Sequence, residues 1–246
     1  GARIWLPEAP SIGGHLVGKA LKGLAATAKK HSDPFGEQQV RALVENMQAV
    51  NAEAEKAEFL PNFFRRSSGQ YGKRGSFQNL VGNTTHISVV GEDGDAVGIT
   101  SSLGETCGEM LDDSGIILNN FLGESDVSPP FAFDAPGAKL LTMCTPTLVT
   151  SGESTYVLGS GGSSRIRSAV LHGVLYRQMY GLPFDEVVRA PRVHAEAGTV
   201  HIESFQRSTE TLDALQHRYG DTSKLFDGPN MFFGGLHTAA KVGASF

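Results

Sequence analysis

The chain has 246 residues, 40% of them hydrophobic, enough for one large or two small globular cores, which excludes a disordered or mini-protein reading. Its 21 basic and 26 acidic side chains leave a formal charge of −5, so no overall field draws it to nucleic acid or to an anionic membrane. Two cysteines, Cys107 and Cys144, make neither a disulfide scaffold nor a zinc framework, and no apolar run reaches the roughly 18 to 20 residues that cross a bilayer.

Ser11 is placed to cap a first helix on which Val17, Leu21, Leu24 and Ala28 share a face, with Lys29 and Lys30 at its C-terminal end. A second amphipathic run sets Val40, Leu43, Val44, Met47 and Val50 on one side, so residues 1–58 read as a helical segment. Residues 59–83 change character, with Pro61, four glycines, and Arg65, Arg66, Lys73 and Arg74 unaccompanied by any acid. That composition predicts a long flexible linker. The competing reading is a nucleic-acid arm with Phe63, Phe64 and Tyr71 as stacking platforms, which four cations in an acidic chain support poorly.

From Thr85 the apolar period becomes two. Ile87 and Val89 precede Glu92-Asp93-Gly94-Asp95, and Val97 and Ile99 follow it, the pattern of a β-hairpin. Further strands are predicted at 115–119, 145–149 and 155–158, the last two joined by a tight turn at Ser151-Gly152-Glu153. A Gly/Ser-rich turn at 159–164 leads into a buried helix bearing Ile166, Ala169, Val170, Val174 and Leu175. A short helix at 184–189, a strand at 199–203 and a helix at 208–218 follow. Strands first and helices afterwards predict an α+β fold with antiparallel sheets in place of a doubly wound parallel one.

No Gly-x-Ser-x-Gly elbow follows a predicted strand, and no His-Glu-x-x-His, paired Cys-x-x-Cys or phosphate-binding P-loop is present. The 159–164 turn is either an anion cradle of backbone N–H groups or a plain strand-to-helix turn. More specific is Thr84-Thr85-His86-Ile87-Ser88-Val89-Val90, which issues directly from the glycine-rich loop. It is followed by Gly-Ile-Ile-Leu-Asn-Asn at 115–120, Pro146-Thr147, Ser164-Arg165-Ile166 and Ala190-Pro191-Arg192-Val193-His194. In content and order these segments resemble the gamma-glutamyltranspeptidase family, and Pro10-Ser11-Ile12-Gly13-Gly14 resembles a motif near the end of that family's large subunit.

The resemblance implies an N-terminal-nucleophile hydrolase, an αββα sandwich of antiparallel sheets, made from a precursor that cuts itself before a threonine. On that basis Thr84 is the nucleophile, Asn83–Thr84 the processing bond, residues 84–246 the small-subunit catalytic part, and residues 1–58 the end of the large subunit. A lone Thr hydroxyl is a weak nucleophile near neutral pH, whereas an α-amine freed on the same residue, of reference pKa about 7.7–8.0, can act as its base. Thr85 points to the opposite strand face and ranks second.

The resemblance also makes Ser102 a second hydroxyl bonded to the nucleophile and gives the glycine turn the role of oxyanion hole. Counting by the glycine pair selects Gly161 and Gly162, and counting back from Arg165 selects Gly162 and Ser163. The family's groups for the glutamyl ammonium and carboxylate fall on Gly104, Phe121, Glu124, Thr142 and Met143, of which Glu124 and Thr142 alone keep a suitable polar group. Loss of two or three charge-assisted hydrogen bonds, each worth roughly 1.5–3 kcal/mol, weakens the preference for a zwitterionic acyl group. The implied substrate is a small-molecule amide, with no metal or organic cofactor. The implied partners are the N-terminal large-subunit part and further copies of the processed heterodimer, without nucleic acid or membrane. Two other readings stand beside a gamma-glutamyltransferase-like amidase: a divergent amidohydrolase for a non-glutamyl acyl amide, and an uncleaved, non-catalytic homologue. The compartment is left open among cytoplasm, periplasm and exterior.

Overall fold

A computed structural model describes residues 1–25, 31–56, 83–104, 106–121, 137 and 139–245. The chain opens with β1 (Arg3–Trp5) and turns into α1 (Ile12–Leu24) at Ser11. The Ser11 Oγ accepts the Gly14 N–H at 3.0 Å and donates to the Cys144 carbonyl at 2.8 Å, so one hydroxyl both caps the helix and ties it to a segment 133 residues away. Helix α2 (Glu37–Lys56) packs on α1, and Val40, Leu43, Val44, Met47 and Val50 are all buried there, as their spacing predicts. Ala28, Lys29, Lys30 and residues 59–82 of the expected linker lie outside the described residues.

The hairpin forms from β2 (Thr84–Val90) and β3 (Ala96–Ser102), antiparallel, with Thr84 opposite Ser102 and His86 opposite Thr100. Then come β4 (Thr147–Ser151), β5 (Ser154–Ser160), α3 (Ile166–Tyr180), α4 (Phe184–Arg189), β6 (Val193–Glu196), β7 (Thr199–Glu203), α5 (Thr209–Tyr219), β8 (Ser223–Phe226) and β9 (Leu236–Val242). An antiparallel sheet runs in the order β1-β4-β5-β9. The expected α+β class is the one observed.

Strand β5 is the centre of the layering because it is buried on both faces. Leu158 faces the helices, where a Cβ added to Gly173 of α3 would lie 3.6 Å from its Cδ2. Val157 and Gly159 face the hairpin: a Cβ on Gly98 would lie 2.6 Å from Val157 Cγ1, and one on Gly159 would overlap the His86 ring. Missing side chains at Gly98 and Gly159 therefore let two sheets stack with an imidazole between them. The other face of the hairpin is apolar and open, with Ile87 55%, Val89 54%, Val97 54% and Ile99 54% exposed. Among the described residues the sequence of layers is thus hairpin, sheet, helices.

Two expectations are corrected. Residues 115–119 form no strand: they fold back on their own flank, with Leu111 N–H to Ile116 O at 2.8 Å and Leu118 N–H to Glu109 O at 2.9 Å, leaving Ile116, Ile117 and Leu118 exposed. The sheets are not all antiparallel either. In the order β6-β7-β8, β7 and β8 run parallel, because α5 carries the chain back between them.

The stacking predicts that Gly159→Ala destabilises the fold by about 1–3 kcal/mol, since its methyl must displace the buried His86 ring. A urea titration monitored by circular dichroism checks this, and an unchanged midpoint would refute the described sheet spacing.

Candidate active site

Thr84 begins β2, and strand alternation turns it, His86 and Ser88 to the inner face while Thr85 and Ile87 face outward. Across the ladder Thr84 Oγ1 lies 2.9 Å from Ser102 Oγ. Ser102 Oγ also accepts the Gly104 N–H at 3.0 Å and keeps both a second lone pair and its own proton, so it can accept from or donate to Thr84 Oγ1. The ladder continues one residue further: the Asn83 N–H donates to Gly104 O at 3.2 Å, and the Leu103 N–H donates to Asn83 O at 3.0 Å. The carbonyl of the peptide unit before Thr84 is therefore held by the Leu103 backbone N–H. An open cleft of about 380 Å³ is lined by Asn83, Thr84, Thr85, Ser101, Ser102 and Leu103.

The glycine turn meets this cleft from β5. A Cβ on Gly161 would overlap the Thr84 carbonyl oxygen and lie 3.4 Å from the Thr84 Cβ, so the two backbones touch because residue 161 has no side chain. Gly162 follows at φ +118, and Ser163 at φ +54 starts the short 3₁₀ turn Ser163–Arg165 that enters α3. A serine held at positive φ stores backbone strain of about 1–3 kcal/mol, which surrounding structure must hold in place. Gly161, one of the three residues expected to form an oxyanion hole, lies against Thr84.

Two polar groups support this arrangement without having been assigned a role from sequence. His86 is buried and bonds Thr100 Oγ1 through Nδ1 at 2.8 Å and Ser88 Oγ through Nε2 at 2.9 Å. Burial, with a smaller contribution from nearby His237, lowers its pKa to about 4, so the ring is neutral at pH 7. At the far end of the turn, Ser164 Oγ donates to Glu196 Oε2 at 2.7 Å, and Arg167 pairs with Glu196 Oε1 at 2.9 Å. Burial alone would raise the Glu196 carboxyl, but hydrogen bonding from His194, the Arg167 charge and the Ser164 hydroxyl together hold it well below the usual carboxylate range. His194, itself kept neutral by burial, bridges Ser168 Oγ at 2.7 Å and Glu196 Oε2 at 3.3 Å.

Ser168, His194 and Glu196 have the connectivity of a hydrolytic triad, yet Ser168 is buried and its hydroxyl also faces Met47 Sδ in the core. Its role is structural. The signal for this network was the His194 motif; Glu196 follows two residues on along β6, whereas Arg167 and Ser168 stand on α3 and share no local pattern with it.

Of the five residues expected to bind substrate, Gly104, Phe121, Thr142 and Met143 are among the described residues. Gly104 is buried beside Ser102. Phe121 is half-buried, its N–H on Asn119 Oδ1 at 3.2 Å. The Thr142 hydroxyl accepts the Cys144 N–H at 3.0 Å, and its backbone bridges Ser11 at the start of α1. The Met143 side chain is buried in the main hydrophobic cluster. Glu124 lies outside the described residues.

The sequence model described as Gamma-glutamyltranspeptidase matches residues 11–243. This chain belongs to that family. The glutathione hydrolase proenzyme of Pseudomonas sp. (strain A14) is 34% identical over 150 residues, 54% of this chain and 26% of that protein. The acylase ACY 1 proenzyme of Pseudomonas sp. (strain SE83) is 26% identical over 224 residues, 88% of this chain and 39% of that protein. The structure of gamma-glutamyltranspeptidase from Pseudomonas nitroreducens complexed with L-DON superposes with a TM-score of 0.53 at 25% identity, covering 65% of this chain and 90% of that one. The chain thus matches only about a quarter to two fifths of the length of these two curated relatives. The N-terminal-nucleophile hydrolase fold expected from the motifs is the fold of the family.

Three histidines, His86 and His172 buried and His201 half-buried, set an acid limit on stability. His86 is lowered to about 4, His172 to about 3 and His201 to about 4, in each case chiefly by burial. In the unfolded chain each returns to about 6.5, so between pH 6.5 and 4 the unfolded state binds protons that the folded state refuses. Glu203, raised by burial, pulls the other way nearer the carboxylate range. The urea midpoint should therefore hold above pH 7 and fall steadily from pH 6.5 to 5. A midpoint that stays level or rises over that interval would contradict the buried, neutral state of these rings.

Proposed function

We propose that the chain carries the catalytic part of a threonine amidase that cuts a gamma-glutamyl-type amide, after the precursor has cleaved itself between Asn83 and Thr84. The observation that carries the reading is the meeting of Thr84 Oγ1 with Ser102 Oγ at 2.9 Å on one side and of the Thr84 backbone with Gly161 on the other. A nucleophile, its hydroxyl partner and a glycine turn converge on one point, as acyl transfer requires.

In maturation, Thr84 Oγ1 attacks the Asn83 carbonyl carbon, its proton is relayed through the Ser102 hydroxyl to the Thr84 nitrogen, and the C–N bond breaks to leave an ester and a free Thr84 amine. Water hydrolyses the ester, giving the Asn83 carboxylate. In turnover the new amine takes the hydroxyl proton, Oγ1 attacks the substrate carbonyl, and the Gly161–Gly162–Ser163 turn supplies N–H groups to the oxyanion. The leaving amine departs with the proton, and water or an acceptor amine releases the acyl group from Thr84. Processing also implies a partner, the N-terminal large-subunit part of the precursor, and an assembly of the resulting heterodimers.

A second reading concerns the acyl group. With Met143 in the core and no side chain at Gly104, the Thr142 hydroxyl proton is the one side-chain donor among these described residues, poor pairing for an ammonium and a carboxylate. That favours a divergent amidohydrolase for a smaller or uncharged acyl amide.

One experiment addresses both. Intact mass of the purified full precursor should show two chains, with the smaller beginning at Thr84, and Thr84→Ala should yield a single folded chain without amidase activity. Cleavage retained in that variant would remove Thr84 from the role, and a single unbroken chain in the parent would favour the non-catalytic homologue. With the matured protein, a higher kcat/KM on a gamma-glutamyl anilide than on simple acyl anilides supports the first acyl assignment, and the reverse order supports the second.

A further inference from the structure

Glu203 ends β7 and is 2% exposed, yet it touches none of the groups proposed to do chemistry. Its carboxylate accepts two backbone N–H groups: Asn230 to Oε1 at 2.9 Å and Arg192 to Oε2 at 2.8 Å. Asn230 in turn accepts the Phe232 N–H on Oδ1 at 2.9 Å, capping the 3₁₀ turn Met231–Phe233. From that turn the chain passes to Gly234, at φ +69, where a Cβ would overlap the Gly161 carbonyl oxygen and lie 3.0 Å from Ser160 Oγ. A Cβ on Gly162 would come within 3.2 Å of the Gly234 Cα. Segment 230–234 is thus pressed against the back of the turn whose front touches Thr84.

Two arginines hold the same segment. Arg192 Nη1 donates to Phe233 O at 3.3 Å and to Gly234 O, while Arg165 Nε donates to Phe232 O at 3.0 Å with its guanidinium 4.9 Å from the Phe232 ring centre. Glu203 fixes where Arg192 starts, since it binds the backbone N–H of that residue, and where the segment starts, at Asn230.

We propose that Glu203 is a positioning residue of the nucleophile site: through Arg192 and Asn230 it holds Gly234 behind Gly161 and so sets the glycine turn against Thr84. The inference rests on the proposed function for its catalytic consequence, and on the contacts alone for its structural one. A carboxylate is suited to the task because both its oxygens accept. An amide at the same place turns an NH₂ toward one of the two N–H groups and loses that bond.

The test compares the full, matured protein with Glu203→Gln by amide hydrogen exchange and by steady-state kinetics. Loss of one such hydrogen bond is expected to speed exchange in peptides covering 160–164 about tenfold and to lower kcat about tenfold, with KM within about twofold. Exchange in α1 and α2 should stay at the parent rate. Exchange at 160–164 equal to the parent's, acceleration spread evenly through all elements, or a loss carried by KM would overturn the proposal. If Glu203→Gln does not fold, Gly234→Ala, which leaves the carboxylate and both arginines in place and pushes on Gly161 directly, must give the same local exchange and the same kcat loss, and its failure to do so would overturn it equally. A parent protein without amidase activity would defeat the proposed function, and the exchange comparison would then decide by itself whether Glu203 holds the turn.

Discussion

Two glycines on the line from β5 into the following turn, Gly159 and Gly161, face β2, and neither leaves room for a single methyl group. At Gly159 the space is taken by the His86 ring, and at Gly161 by the backbone of Thr84. Backbone-to-backbone contact is a rigid way to fix the residue that carries a hydroxyl, because no side-chain rotamer intervenes between the turn and the Thr84 backbone. The rest of the structure follows from that approach. The hairpin must lie directly on the four-stranded sheet, an imidazole must be buried neutral between hydroxyls, and the strained turn through Ser163 must be anchored at Ser164 by Glu196 and from behind by Gly234.

The polar groups around the site divide by what burial does to them. His86 and His194 give up their charge, and each satisfies both ring nitrogens with hydroxyls or a carboxylate. Glu196 keeps its charge because Arg167 is buried beside it, a pair whose attraction offsets desolvation only with further hydrogen bonds of the kind Ser164 supplies. Such a network contributes less to net stability than to uniqueness of geometry. Its position, at the entry to α3 directly after the glycine turn, is where a one-residue shift would carry Gly161 away from Thr84.

Much of this was legible in the residues because it is local. The period-two run from Thr84 to Val90 gives the hairpin and its register, the apolar face of α2 is read from its spacing, and Ser11 caps α1 as its residue type suggests. What escaped depends on partners far along the chain. The run at 115–119 is as apolar as a strand but finds no sheet to join, β1 and β8 are too short for a period to show, and β9 carries small and polar residues whose burial comes from β5, the hairpin and the helices α3 and α4. The pairing of Thr84 with Ser102 was expected from the ordered motifs, whereas the burial of Met143 in the core was not, because a motif position fixes a place in sequence and leaves open which way the side chain turns. The pairing of Gly234 with Gly161, 73 residues apart, has no sequence signature at all.

The central claim is that Thr84 Oγ1 is the atom that becomes acylated. Its most direct test is to treat the purified, matured protein with an electrophilic diazoketone analogue of the acyl amide, digest it and map the covalent adduct by tandem mass spectrometry. A single adduct on the side chain of Thr84, prevented by prior incubation with substrate, is the predicted result. An adduct confined to Thr85, Ser102 or Cys107, or one that substrate does not prevent, would contradict it.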